Sequence, residues 1–372
     1  MAVVYTKEQK KSIIIRISLL AILLAVIVVC IVIIVNQFKP KKGLNIIPHD
    51  MSKHSGEMTN YNFSYYLDDG DGNKKNALEK LYSESFDKIY ELIDEYENIE
   101  NLNNIYYINN HINEDITIDP ILYNYLKKVY DLNPKYILSG SLYDYWWQMT
   151  NTIYPEQRDE IDPINDLEIK SSIDYFVNTS INHISLDFKD NNVIRLNVDN
   201  EYKIVSDNDK YISFSLFYKP VILDYIKNQL NDKGYSNGYI VTLDGFYQDL
   251  GLVATNINIK LTSREYLNGY YNLECKKGNN YVLLYDYKIN SYYSYYEYNN
   301  EKRTLFLDYN TGYSFDYNSS IYYSTNSLID TLSGVYDYYY NKKGINYIIQ
   351  KEHKIYTNVK EITSENIEVV YE

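Results

Sequence analysis

FLDYNTGYSFD, residues 306–316, sets Asp308, Asn310, Thr311 and Gly312 between two aromatic runs of strand character. Turn-forming residues between such runs predict a hairpin. Working outward, nearly everything from Val253 to Tyr323 reads as strand and hairpin. Ahead of that region the period changes. Leu78, Leu81, Tyr82, Phe86, Ile89, Tyr90 and Ile93 recur at three- and four-residue spacing, which predicts a helix from about Asn76 to about Tyr96, with Glu79 completing a capping box.

Asp119-Pro120 announces a second helix, an N-cap followed by a proline at the first helical position, and ILYNYLKKVYDL continues it to Asn133-Pro134. A third is expected near Leu167 to Val177. HISLDF and NVIRLN read as strands joined by KDNN, and PVILDYIKNQL from Pro220 to Leu230 as a helix. NGYIVTLDG is then a strand feeding a glycine turn, and SLIDTLSGVYDYYY after Thr325 has the spacing of a final helix. Helices ahead of a mostly antiparallel strand region predict an α+β domain.

With 372 residues, 45% of them apolar, the chain can bury a sizeable core, so a disordered protein is excluded. A formal charge of −14 repels a polyphosphate backbone, so no nucleic-acid partner is expected. The 47 tyrosines suit half-buried strands, where the ring packs and the hydroxyl stays wet. Cys30 and Cys275 are the two cysteines. The first lies inside an apolar run, which leaves the second without a partner for an intramolecular disulfide.

That run, ISLLAILLAVIVVCIVIIV from Ile17 to Val35, holds nineteen residues without a charge. At about 1.5 Å per residue such a helix nearly spans a ~30 Å hydrocarbon core. Its exit, VNQFKPKKG, lacks the small residues of a cleavage site. The expected layout is a short cytoplasmic N-terminus at 1–16, a single transmembrane anchor at 17–35, a tether at 36–57 and an extracytoplasmic domain at 58–372. The protein is accordingly expected in the cell membrane, with the C-terminal domain outside.

Asp69, Asp71 and Asn73 alternate as the first ligands of a calcium loop do, but Lys80 stands at its twelfth position. The five histidines fall in no nucleophile context, and no G-x-S-x-G, P-loop or H-E-x-x-H occurs.

In chain order stand Met58-Thr59 before a strand, a long helix, IYYINNHINEDITIDPILYNYLKKVYDL, SGSLYDYWWQ, FYKPVILDYI, a strand ending in LDG, FLDYNTGY and SLIDTLSG. Over roughly residues 58–345 this series resembles the FAD:protein FMN transferases, the ApbE family. There the pieces run approximately MGT, INxxxxxxxVxxxLxxLLxxA, GxFDxxxxxLxxLW, AKGYAxD, NxGG, HxxDPxTGxP and ADALxT. The resemblance implies FAD and Mg²⁺ as cofactors, and transfer of FMN to a Ser or Thr hydroxyl of a flavoprotein partner outside the membrane.

Carried over residue by residue, it assigns Lys219, Asp224, Gly245, Asp308, Thr311 and Gly312 to cofactor binding, and Asp330 with Ser333 to the metal. The departures are equally specific. Leu305 stands in place of the family histidine, Tyr309 of its proline, Gly334 of the metal-motif threonine, Pro220 of a glycine, and SFSLFY, Ser213 to Tyr218, of a glycine-rich run. Side chains there would crowd a ligand that the glycines let approach. Three readings stay open: a flavin transferase, a catalytically inactive relative that binds flavin or protein, or a surface module whose tyrosines bind sugars. The 308–312 stretch is a cofactor turn or a plain hairpin, and Asp330 a metal ligand or a helix cap.

Overall fold

The structure, a computed structural model, describes residues 40–152, 154–206, 210–243, 245–251, 256–259, 271–274, 280–284, 295–315, 320–324, 327–341, 346–350 and 367–370. It also describes isolated positions between 16 and 30. Most of the expected anchor, 17–35, lies outside the described residues. Among those described, no helix is long and apolar enough to cross a membrane.

The main sheet has eight strands: β1 (Gly43–Ile47), β2 (Tyr61–Leu67), β3 (Gly238–Thr242), β4 (Phe246–Asp249), β5 (Asn280–Leu284), β6 (Ser320–Ser324), β7 (Asn346–Gln350) and β8 (Ile367–Val370). Their order across the sheet follows the chain, and each neighbouring pair is antiparallel. The domain begins earlier than the sequence places it. Gly43 to Ile47, expected in the tether, pairs residue for residue with Leu67 to Phe63 as the edge strand. Asp87 then anchors the following loop, accepting from the Ser52 hydroxyl and from the backbone N–H of Lys53.

One face of this sheet is covered by α1 (Gly72–Ile93), α5 (Tyr218–Asp232) and α6 (Leu328–Asn341), whose packing joins Phe63, Tyr82, Phe86, Ile222, Ile226, Val282, Tyr322 and Leu332 into one core. Between α1 and α5 in sequence lie α2 (Pro120–Leu132), α3 (Gly140–Asn151) and α4 (Leu167–Asn178). A small sheet of Asp115–Thr117, Val193–Val198 and Ile184–Lys189 accompanies them.

Local signals account for most boundaries. Asp119 caps α2 through the Ile121 N–H with Pro120 at its start, and Asp166 caps α4 through the N–H groups of Glu168 and Ile169. The expected capping box at Asn76 is replaced by an earlier start: the Asp71 carboxylate takes the Asn73 N–H, so α1 begins at Gly72 and ends at Ile93. Asp69 serves the same turn by accepting from the Asp71 N–H. Similarly α5 begins at Tyr218, two residues before Pro220, because a 3₁₀ turn over Ser215–Phe217 leads straight into it.

Candidate functional site

The segment 306–312 is a tight turn between the two-residue strands Leu307–Asp308 and Tyr313–Ser314. The Asp308 carbonyl accepts from the N–H groups of Thr311 (3.2 Å) and Gly312 (2.7 Å). Its carboxylate accepts from the Asn310 N–H at 2.9 Å and from the Tyr340 hydroxyl of α6 at 3.0 Å. Thr311 is exposed, and its Oγ1 accepts the Tyr313 N–H at 3.3 Å. Gly312 has φ +78°, and a Cβ there would meet Ile173 Cγ2 of α4 at 2.5 Å. Only glycine therefore satisfies both backbone and packing at this position. Its carbonyl accepts the Trp146 indole N–H at 2.8 Å, which docks the turn on α3.

Tyr309 faces the interior and is 1% exposed. Its ring lies 5.6 Å from Tyr336 of α6 and 5.7 Å from Tyr136. Tyr336 is the hub of this cluster: Phe306 stacks on it at 4.5 Å, Tyr136 lies at 5.0 Å and Phe315 at 5.9 Å. Phe217, from the 3₁₀ turn before α5, closes the group at 4.7 Å from Tyr136. Aromatic pairs of this kind contribute about 0.5–1.5 kcal/mol beyond the area they bury.

Ser215, in that same turn, holds φ +47°, the left-handed conformation that suits glycine. Here a side chain accompanies the backbone shape. The hydroxyls of Ser215, Tyr309 and Tyr336 are buried together, and none closes a hydrogen bond of ordinary geometry. Burial pushes the Tyr309 phenol up to about 12 and the Tyr336 phenol well above its usual range.

The start of α6 is doubly capped. Asp330 accepts from the Ser327 N–H (3.3 Å) and hydroxyl (2.5 Å), while its own N–H donates to Ser327 Oγ at 3.2 Å. This reciprocal arrangement is a capping box. Asp224 of α5 accepts the next two amides, those of Leu328 at 2.9 Å and Ile329 at 3.1 Å. Burial, partly offset by those two hydrogen bonds, raises the Asp224 carboxyl above the ordinary range.

The Lys128 ammonium of α2 lies 3.4 Å from Asp330 Oδ2 and donates to Ser327 Oγ at 2.6 Å. Among the described residues, no three of His, Cys, Asp and Glu gather closely enough to hold a metal ion. Beside the α6 N-terminus a cavity of about 570 Å³ is lined by Asn124, Tyr125, Lys128, Asp224, Lys227 and Ser327, among others.

The residues singled out from sequence thus fall into five places. Asp308, Thr311 and Gly312 share the docked turn. Asp224 and Asp330 meet at the α6 N-terminus. Ser333 is buried one turn further along α6. Lys219 is half-buried in the first turn of α5, and Gly245, at φ +108°, makes the hairpin between β3 and β4. Leu305 packs into the core. Sequence reasoning missed Lys128, whose partner lies two hundred positions away. It also missed Tyr136 and Tyr336 as cluster members; the spacing of Leu332, Val335 and Tyr336 along α6 was the available signal.

No protein-family profile matches the chain, and no curated protein matches it in sequence. Solved structures do. The ApbE protein of Thermotoga maritima superposes with a TM-score of 0.53 at 15% identity, covering 78% of this chain and 90% of that one. The flavin transferase ApbE of Vibrio cholerae gives 0.50 at 13%, covering 83% and 92%. Pseudomonas stutzeri flavinyl transferase ApbE in its apo form gives 0.52 at 12%, covering 85% and 93%. This chain has the α+β fold of the ApbE flavin transferases.

Proposed function

We propose that the protein is a membrane-anchored, extracytoplasmic relative of the flavin transferases that has exchanged catalysis for binding, and that its ligand is another extracytoplasmic protein. One observation carries this reading: the pieces that the resemblance assigns to cofactor and metal converge on the chain's own side chains. Phe217, Tyr309 and Tyr336 pack ring to ring where the glycine run, the D-x-x-T-G turn and α6 meet. Glycine at 215 and proline at 309 would leave room that Ser215 and Tyr309 fill.

The residues present do not fit a magnesium ion either. A divalent cation at Asp330 would have to displace the Lys128 ammonium, which already neutralises that carboxylate, and break the Ser327 hydrogen bonds that start α6. No step of a flavin transfer is derived through this arrangement. The anchor rests on the apolar run 17–35, and the outward orientation on the basic residues Lys7, Lys10, Lys11 and Arg16 ahead of it.

A second reading, transfer of FMN from FAD to a partner's Ser or Thr hydroxyl with release of AMP, is favoured by the intact Asp308–Gly312 turn and by coverage of 90–93% of the transferase chains. The two separate cleanly. FAD is titrated into the purified full chain by flavin fluorescence, with Mg²⁺ and then with EDTA, and candidate flavoproteins are added for in-gel fluorescence. The binding-module reading expects no Mg²⁺-dependent FAD binding and no fluorescent acceptor band. A band that needs Mg²⁺ would overturn it.

A further inference from the structure

We infer that the outer face of β1, with Leu44 and Ile46, lies on the bilayer to which the chain is anchored, so that the domain is docked on its membrane and does not swing above it. The inference rests on the anchor reading of 17–35.

The first argument is the length of the leash. The chain joins the domain at Pro40, earlier than its composition suggests. The 68–72 turn is packed directly against it: a Cβ on Gly70 would meet the Pro40 carbonyl oxygen at 2.9 Å and the Lys42 nitrogen at 3.1 Å. The Asn45 side chain then locks the entry, its amide donating to the carbonyls of Lys41 (2.7 Å) and Gly43 (2.8 Å). From Val35, the last residue of the apolar run, to Pro40 is five residues. At about 3.6 Å each they reach at most about 18 Å. The headgroup layer takes up about 5–8 Å of that distance. The corner formed by Pro40, β1 and the 68–72 turn is therefore held against the membrane surface.

The second argument is what that corner exposes. Alternation along β1 buries Ile47 at 1% exposure and turns Leu44 (47%) and Ile46 (73%) to the opposite face of the sheet. An edge strand that presents two large aliphatic side chains to water is a liability which soluble domains usually blunt with charge. Here Lys41 and Lys42 precede it and are exposed. Asp68, Asp69 and Asp71 share the corner and offset that charge, so the docking is apolar and its partner is a lipid surface irrespective of headgroup charge.

The test uses the full chain in phosphatidylcholine vesicles doped with a headgroup-nitroxide lipid. In a Cys30→Ser, Cys275→Ser background, an environment-sensitive fluorophore is placed at Ile46→Cys or, as a control, at Leu167→Cys, which is exposed at the start of α4. Quenching at 46 is expected to exceed that at 167 by about twofold or more. It should survive insertion of twenty Gly/Ser residues between Phe38 and Lys39, and it should fall when Leu44→Ser is added. Equal quenching at the two positions overturns the docking, and so does loss of quenching on insertion, since proximity would then come from the leash alone. Vesicle flotation in carbonate is scored separately: a chain that does not float removes the anchor reading, and the docking with it.

Discussion

Replacing Gly312 by alanine tests whether the 308–312 turn is held by its seat on α4 and α3. Two costs add at this residue. An L-residue at φ +78° is disfavoured by about 1–2 kcal/mol. The new methyl would lie 2.5 Å from Ile173 Cγ2 and 3.1 Å from Val177 Cγ1, both on a packed helix, and overpacking of that kind costs about 1–3 kcal/mol. Gly312→Ala should therefore destabilise by about 2–5 kcal/mol. Trp146 and Trp147 are the only tryptophans, and the Trp146 indole donates to the Gly312 carbonyl, so tryptophan fluorescence during urea unfolding in detergent reads the affected site itself. Exposed Thr311→Ala should stay within about 0.5 kcal/mol of wild type. Adding Ile173→Ala to Gly312→Ala should recover part of the loss, a coupling of about 0.5–3 kcal/mol. A loss below about 1 kcal/mol for Gly312→Ala, or strict additivity with Ile173→Ala, would refute the seating argument.

Arg303→Ala should cost about 3–5 kcal/mol in the same unfolding assay, because Asp162 is fully buried and would lose the guanidinium that lies 3.1 Å from its Oδ2. Asp162→Ala in that background should return part of the loss. Burial holds the Asp224 carboxyl above its unfolded value, so its contribution is full at acid pH and is lost as pH rises through the raised native value. The stability of wild type relative to Asp224→Asn should accordingly fall from acid to neutral pH, measured by thermal melting; a flat difference would contradict it. Wild-type melting should be unmoved by Mg²⁺, because the Lys128 ammonium and the Ser327 hydrogen bonds already occupy the Asp330 carboxylate; a rise in melting temperature on adding Mg²⁺ would contradict this.

The elements legible in the sequence are those whose signals are local. Asp119-Pro120 marked the start of α2 to the residue, and the KDNN turn placed two strands of the small sheet in register. The apolar periodicity of residues 78–93 found α1, although Asp71 rather than Asn76 begins it, since a cap acts through which side chain reaches the first free amides. β1 was hidden because GLNII carries little pattern in five residues; its pairing with β2 makes it a strand. Of the candidate site, Gly312 was legible as a turn glycine, but not that Ile173 would exclude any other residue there.

Composition, periodicity and capping residues were enough to determine an α+β domain behind an apolar run, and the order of weak motifs was enough to point to a fold. The filling of the site was decided by tertiary structure. Ser215, Tyr309 and Tyr336 are separated by 94 and 27 positions in the chain, and Lys128 stands 202 positions before Asp330. Whether a tyrosine packs against a ligand or takes its place depends on which rings the fold brings within about 6 Å of one another, and no local pattern encodes that distance.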